Sequence, residues 1–465
     1  MKKYFLLGLY TFLFLPANSQ ELRRIGSMGI GFSAVNDSII KVNKLKNKNA
    51  LLVTSIVPGL TGEALKIAKG DIVLSINGIF RLHPQGLALN KSITKFEGDE
   101  VEYFVLRNGM EMTLKTKAIA RPLETSSDYN VTYDQFPFMN GINRCIITSP
   151  KTSGKKPGIL IIQGYPCSSI DNIPALNPIM QLSDQLTKRG YVVMRAEKPG
   201  IGDSYNSMEC YDIDFKTEVA SFEAAYLKLK TVADVDTNNL FIFGLSMGGM
   251  EAPFIASQVN PKGVIVYGIT TKSWHEYLTE MLRFQNPNMG VDYTQIESEM
   301  KLYTTLLYDL FVNLKKPSEL IKKNPDYLKL LQRDFNYIKD DDFLTRSIIF
   351  SQSLNKCDIP KEWSKVSSHV LSAFGEYDIQ AINNFGHKEI VEIVNKNHPG
   401  KASYMEFAKT EHGMIELLNE KEKWEIHTVP GKMKIVLMRG LNQKFINDVD
   451  KWIKAIIEKN YVLPD

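Results

Sequence analysis

Ser246 sits in Gly244-Leu245-Ser246-Met247-Gly248-Gly249, directly after the apolar run Leu240-Phe241-Ile242-Phe243 and before a helix-compatible segment. A serine at a sharp strand-to-helix turn has its hydroxyl pushed clear of the sheet. Small residues beside it are required because the turn is tight and the helix packs close to the strand. A serine hydroxyl is a poor nucleophile until a nearby base activates it. The chemistry expected at such a position is attack on an acyl carbon. The rest of the chain must then supply the base, because the pattern alone also occurs in ordinary glycine-rich turns.

The elements that have to position this serine lie in a chain of 465 residues, a length natural for two or three domains. Apolar residues make up 44% and charged residues 23%, which is globular and sufficient for a sizeable core. The chain opens Met1-Lys2-Lys3, runs apolar from Tyr4 to Pro16 and reaches Ala17-Asn18-Ser19 before Gln20. This is the pattern of a secretory signal over residues 1–19, with an apolar run too short to span a bilayer comfortably. An exported, periplasmic or secreted protein is expected, with no stable membrane span after cleavage. The formal net charge is +4, and loss of Lys2 and Lys3 brings it closer to neutral, so no nucleic-acid partner is indicated. The four cysteines, Cys145, Cys167, Cys210 and Cys357, lack metal-site spacing. No metal and no organic cofactor is expected.

Residues 22–118 combine short strand-like runs with many turn residues. Gly29-Ile30-Gly31-Phe32 comes early, and Leu51 to Val57 leads into Pro58-Gly59. Gly70-Asp71-Ile72-Val73-Leu74-Ser75-Ile76-Asn77-Gly78 follows, and Arg107-Asn108-Gly109 closes a hairpin. These motifs, in this order over about 95 residues, resemble a PDZ domain. The resemblance implies that Gly29, Ile30, Gly31 and Phe32 form a loop whose backbone N–H groups capture a peptide C-terminus. A helix around Leu87 would form the other wall. An accessory module that packs on its neighbour without a ligand is the alternative.

Residues 119–134 read as a linker. From residue 135 to 465 strands alternate with helices, the sign of a mainly parallel sheet. A long helical insert is expected over residues 271–366. This second part resembles the α/β-hydrolase family over about 330 residues, closest to its serine-aminopeptidase-like and acyl-hydrolase branches. Gln163-Gly164-Tyr165 follows the first long apolar strand, and Lys198-Pro199-Gly200-Ile201-Gly202-Asp203-Ser204 follows the next. Gly375-Glu376-Tyr377-Asp378 and Thr410-Glu411-His412-Gly413 each follow a later strand, giving the chain order Ser, Asp, His that this fold uses. The fold class expected is α/β, a doubly wound, mainly parallel sheet with a helical cap, preceded by a small β-rich domain.

The resemblance implies roles. Ser246 attacks, His412 takes and returns the proton, and Asp378 orients and stabilises the imidazole. Backbone N–H groups of Tyr165 and Met247 hold the oxyanion. His427 is the rival base, with His387 and His398 expected on or near a surface helix. Glu376 is the rival acid, and Ser204 reads as a loop residue. Cys167 and Cys210 follow loops that leave neighbouring strands at one edge of the sheet, so a disulfide between them is expected; two independent buried thiols are the alternative. In the insert, Trp274, Tyr277, Met281, Leu282, Phe284, Tyr303, Leu306, Leu307, Leu310 and Phe311 are apolar at helical spacing, mostly cap core with some facing the site. The function expected is hydrolysis of an ester or amide through an acyl-enzyme, with ester slightly favoured over peptide. A non-catalytic peptide-binding protein with an inert hydrolase fold and an acyl transferase are the alternatives.

Overall fold

The computed structural model describes residues 22–45, 49–80 and 95–458. The signal expected over residues 1–19 and the helix expected around Leu87 lie outside the described residues.

The N-terminal part is one antiparallel sheet in the order β1-β2-β3-β4-β5. Its strands are β1 (Ile30–Ala34), β2 (Leu51–Ile56), β3 (Ile72–Ile76), β4 (Glu100–Arg107) and β5 (Met110–Lys117), with short helices α1 (Asp37–Val42) and α2 (Thr61–Ala64). Asn108 and Gly109 both have positive φ, 51° and 79°, the primed turn that matches the twist of a two-residue hairpin. Leu51, Val53, Val73, Tyr103 and Val105 form the core of this sheet. β1 is an edge strand.

The second sheet has eight strands: β6 (Tyr129–Phe138), β7 (Gly141–Pro150), β8 (Lys156–Ile162), β9 (Val192–Ala196), β10 (Val235–Leu245), β11 (Gly263–Tyr267), β14 (His369–Gly375) and β15 (Ala402–Phe407). A separate two-stranded hairpin, β12 (Asp342–Phe343) and β13 (Arg346–Ser347), belongs to the insert. The order is β6-β7-β9-β8-β10-β11-β14-β15, with β7 antiparallel to both its neighbours and β8 to β11, β14 and β15 parallel. This strand order is that of an α/β-hydrolase fold. β6 begins at Tyr129, so the linker expected to run to residue 134 ends earlier. Tyr129, Phe136 and Phe138 are buried, and burial of these rings draws the segment into the sheet.

The parallel strands are apolar throughout because both faces are covered. Ile159, Ile161, Phe241 and Phe243 face α3 (Pro178–Lys188) and α15 (Gln443–Ile457). Leu160, Ile162, Leu240 and Ile242 face α4 (Phe215–Leu229) and α5 (Met247–Val259). From β8 the chain steps to β9 through α3, then returns past β8 to β10 through α4. The order therefore reverses at β8, and in open α/β sheets ligands bind at the carboxyl ends of the strands at such a reversal.

Between β11 and β14 the insert forms α6 (Trp274–Asn288), α7 (Tyr293–Phe311), α8 (Pro317–Lys323), α9 (Asp326–Asp334), the hairpin, α10 (Ile348–Asn355) and α11 (Ile359–Trp363). Tyr303, Leu306, Leu307, Leu310 and Phe311 are its core. α12 (Phe385–Asn397), α13 (Glu422–Thr428) and α14 (Lys432–Leu437) complete the fold. Residues before β1 tie the two parts together: Arg24 pairs with Asp171 at 2.9 Å and Asp203 at 3.2 Å, and the Ile25 N–H donates to Asp203 at 2.8 Å. Among the described residues no helix is long and apolar enough to cross a membrane.

Candidate active site

Ser246 ends β10 and precedes α5 with φ 53° and ψ −122°, a strained conformation for a residue with a side chain. The surrounding glycines are there for contact. A Cβ on Gly244 would lie 2.5 Å from the Gly248 carbonyl oxygen, and one on Gly248 would lie 2.2 Å from that of Ile162. The turn closes only because both lack a side chain.

Asp378 and His412 lie in the turns after β14 and β15. The Asp378 side chain is fully buried, and its Oδ1 accepts N–H bonds from Gln380 and Ala381, each at 2.9 Å. His412 Nδ1 lies 2.8 and 2.9 Å from the two carboxylate oxygens. Burial opposes charge on Asp378, but His412 and the backbone donors outweigh it and hold the carboxyl below its ordinary value. Burial likewise opposes charge on His412, but Asp378 outweighs it and raises the imidazole above its ordinary value. With Nδ1 protonated toward Asp378, Nε2 is left as the basic nitrogen.

Ser246, Met247 and His412 line one cavity of about 100 Å³ together with Tyr165, Trp274 and Tyr277. Met250, Gly268, Ile269, Thr270 and Gln380 complete its wall, so no carboxylate, lysine or arginine lines it among the described residues. The Trp274 ring stacks on Tyr277 at 5.0 Å and lies parallel to Tyr165 at 6.3 Å. Of the insert's apolar residues, Trp274 and Tyr277 thus reach the cavity. Met247 is the first residue of α5, so its N–H has no acceptor within the helix. A larger cavity of about 800 Å³ lies between the chain before β1 and the loops after β8 and β9, and it contains neither Ser246 nor His412.

Two of the rival residues have partners of their own. Glu376 accepts the Lys409 N–H at 2.8 Å, and buried Ser204 accepts the Arg144 N–H at 3.1 Å. His427 lies on α13 and His398 ends α12. His387 lies on α12, as expected, but on its inner face: it is fully buried, accepts the Ile269 N–H at 3.2 Å and lies 2.9 Å from Ser372 Oγ. Burial pushes it down to about 3, so it stays neutral.

Cys167 and Cys210 form a disulfide with Cα atoms 5.8 Å apart, joining the loops after β8 and β9. Cys145 and Cys357 are free. Among the described residues no group of three or more His, Cys, Asp or Glu could hold a metal ion. In the N-terminal sheet, Gly29 has φ +62° and a Cβ there would lie 2.5 Å from that of Leu60; Ile30, Gly31 and Phe32 enter β1, which is bulged between Gly31 and Phe32.

Two residues of the site have no counterpart in the sequence analysis. Gly268, directly after β11, has φ +68°, and a Cβ there would lie 2.8 Å from His412 Cε1 and 2.9 Å from Asp378 Oδ2. Tyr267 donates its hydroxyl to the Glu411 carbonyl at 2.6 Å and so ties down the loop that carries His412.

No protein-family model matches the chain, and no curated protein matches its sequence. Among solved structures it is similar to Est1E from Butyrivibrio proteoclasticus with ferulic acid bound, at 14% identity over 66% of this chain and 98% of that one, TM-score 0.41. It is similar to the Pyrococcus horikoshii acylaminoacyl peptidase at 10% identity over 79% of this chain and 49% of that one, TM-score 0.44. An esterase from Rhizomucor miehei matches at 10% identity over 72% of this chain and 86% of that one, TM-score 0.43.

Proposed function

We propose that this protein is a serine hydrolase that cleaves carboxylic esters through an acyl-enzyme at Ser246. Ser246 Oγ attacks the acyl carbon while His412 Nε2 takes its proton. The same imidazole, held by Asp378, returns the proton to the departing alcohol; water then repeats the sequence on the acyl-enzyme. The N–H groups of Met247 and Tyr165 hold the oxyanion. The observation that carries this reading is the pairing of His412 Nδ1 with both oxygens of a fully buried Asp378, in a cavity shared with a strained Ser246.

Two properties of the cavity favour a short, uncharged acyl group over a free-amino peptide. No carboxylate lines it among the described residues, so an α-ammonium group would be desolvated without a counter-charge. Its volume of about 100 Å³ is below the ~150 Å³ that accommodates benzene. Labelling by a fluorophosphonate probe, wild type beside Ser246→Ala, tests the nucleophile. Correctly folded wild type that is not labelled would remove the enzyme reading and leave a peptide-binding protein. Turnover of p-nitrophenyl acetate and butyrate, well above that of the octanoate and of aminoacyl anilides, is expected; anilide turnover above that of every ester would make it a peptidase, and octanoate above acetate would reject the short acyl group.

We also place the protein outside the cytoplasm, on the residue 1–19 signal pattern and the Cys167–Cys210 disulfide. We divide the chain into an accessory domain over residues 22–118, a linker, and a hydrolase domain to residue 465. The accessory domain docks a peptide C-terminus along the β1 edge beside Gly29 to Phe32, PDZ-fashion. Fluorescent peptides with free and amidated C-termini test this: equal binding, or none, rejects it.

A further inference from the structure

The loop after β8 rests on charges that are fully removed from water. The side chains of Lys198, Glu218 and Arg346 are each 0% exposed. Lys198 Nζ donates to the Gly164 carbonyl at 2.7 Å and the Tyr165 carbonyl at 3.2 Å, and lies 2.7 Å from Glu218 Oε1. Three acceptors thus match the three N–H donors of an ammonium group. Arg346 is brought in by the insert's hairpin and forks onto Glu218 at 2.5 and 3.3 Å. It also reaches the Tyr165 carbonyl at 3.3 Å and the Cys210 carbonyl at 3.0 Å.

Burial and the facing charges pull these groups in opposite directions. Burial pushes Glu218 up, but Lys198 and Arg346 outweigh it and hold the carboxyl down to about 2. Glu251, buried on α5, is raised well above its ordinary value by burial and by the Glu218 charge, so it keeps its proton. Burial, with the Arg346 charge, pulls Lys198 below its ordinary value against the opposing pull of Glu218. Stability alone is a poor account of such a cluster, because apolar residues of similar volume generally stabilise at least as well as buried ion pairs.

Peptide geometry supplies another account. In a trans peptide the C=O and the following N–H point in opposite directions, and no cis peptide is present among the described residues. Holding the Gly164 carbonyl on Lys198 therefore turns the Tyr165 N–H the other way. Pro166 has no N–H, so Tyr165 supplies the donor at this point of the loop. Ser246 Oγ lies against the same segment, 3.6 Å from where a Cβ on Gly164 would be.

We propose that Lys198 is a positioning residue for the oxyanion hole: with Arg346 it fixes the Gly164–Tyr165 peptide so that the Tyr165 N–H meets the oxyanion formed at Ser246. The insert takes part through Arg346, so its seating and the hole are one structural unit. This inference rests on the serine-hydrolase reading above.

The test compares wild type, Ser246→Ala and Lys198→Met on the full chain with p-nitrophenyl acetate and an alkyl trifluoromethyl ketone, whose Ser246 adduct carries the oxyanion. Lys198→Met is expected to lower kcat roughly 100-fold with KM within about three-fold, as for loss of an oxyanion donor. Ketone affinity should weaken by the same factor as kcat/KM, since both report transition-state binding. Should Lys198→Met fail to give a cooperative melt, Lys198→Leu, a second apolar replacement that likewise leaves the Glu218–Arg346 pair intact, is judged by the same criteria. A folded variant with kcat within three-fold of wild type, or one in which KM alone changes, overturns the inference while fluorophosphonate labelling of Ser246 still stands. Folded wild type that takes no label overturns both.

Discussion

Gly268 offers a sharp test of the site because the sequence gives its alanine variant no obvious reason to fail. The positive φ of 68° makes any side chain there costly, by roughly 1–2 kcal/mol. The added methyl would meet His412 Cε1 at 2.8 Å and both His412 Nδ1 and Asp378 Oδ2 at 2.9 Å. Ordinary carbon contacts lie at about 3.5–4.0 Å, so the imidazole would have to shift by roughly 0.7–1.2 Å. Asp378 cannot follow freely, because two backbone N–H groups hold it. Crowding of this kind costs a further ~1–3 kcal/mol. A misplacement of about 1 Å in a reacting constellation lowers turnover on the order of 100-fold. Gly268→Ala is therefore expected to lose about 100-fold in kcat and roughly 2–5 kcal/mol in stability. Gly400 is the control: its φ is 75°, but nothing lies within 4 Å of a Cβ there. Gly400→Ala should carry only the backbone cost and keep its activity. Initial rates on p-nitrophenyl acetate, beside urea unfolding of both variants, separate the two effects. Wild-type turnover in folded Gly268→Ala would refute the placement of His412 and Asp378 as the working pair.

Asp378→Asn keeps an acceptor for the backbone N–H groups but faces His412 Nδ1 with an amide; the wrong tautomer should cost about 10⁴-fold in kcat with little change in KM, measured by steady-state kinetics. Because Asp378 raises His412, the acid limb of kcat/KM should have its midpoint above 6.5; His387, held down to about 3, cannot supply it. The same pair makes a stability contribution. The His412 share is full below pH ~6.5 and lost as pH rises through its raised value. The Asp378 share is full above pH ~3.8 and lost as pH falls through its lowered value; pH-resolved thermal melts check both. Replacing Cys167 and Cys210 by serine frees a chain separation of 43 residues, worth about 4 kcal/mol in chain-entropy terms, and should lower the calorimetric melting transition.

What could be read from the sequence was what is local. The elbow around Ser246 announces itself because its glycines answer to neighbours only a few positions away: Gly244 meets Gly248 and Gly249. The parallel strands are legible because burial on both faces leaves continuous apolar runs. Two further features had local signals. His387 precedes Ile390 and Val394 at helical spacing, and that pattern sets it on the buried face of α12. Tyr129, Val131 and Tyr133 alternate with Asn130, Thr132 and Asp134, the two-residue period of a strand, in a stretch assigned to a linker.

The remaining site residues answer to partners far away in the chain, and no local pattern contains them. Gly268 is a glycine because of His412 and Asp378, each more than a hundred positions later. Lys198 stands in a motif whose glycines draw attention to the turn, while its ammonium serves a loop that began 34 residues earlier. Arg346 lies in a short hairpin of the insert and pairs with Glu218, 128 residues away, on a core helix. Residue types suited to acyl chemistry can be recognised by order and spacing. The groups that hold those residues in register answer only to three-dimensional proximity. Because Lys198 and Arg346 reach the same Tyr165 carbonyl from the core and from the insert, a shift of the insert would also move the peptide that faces Ser246.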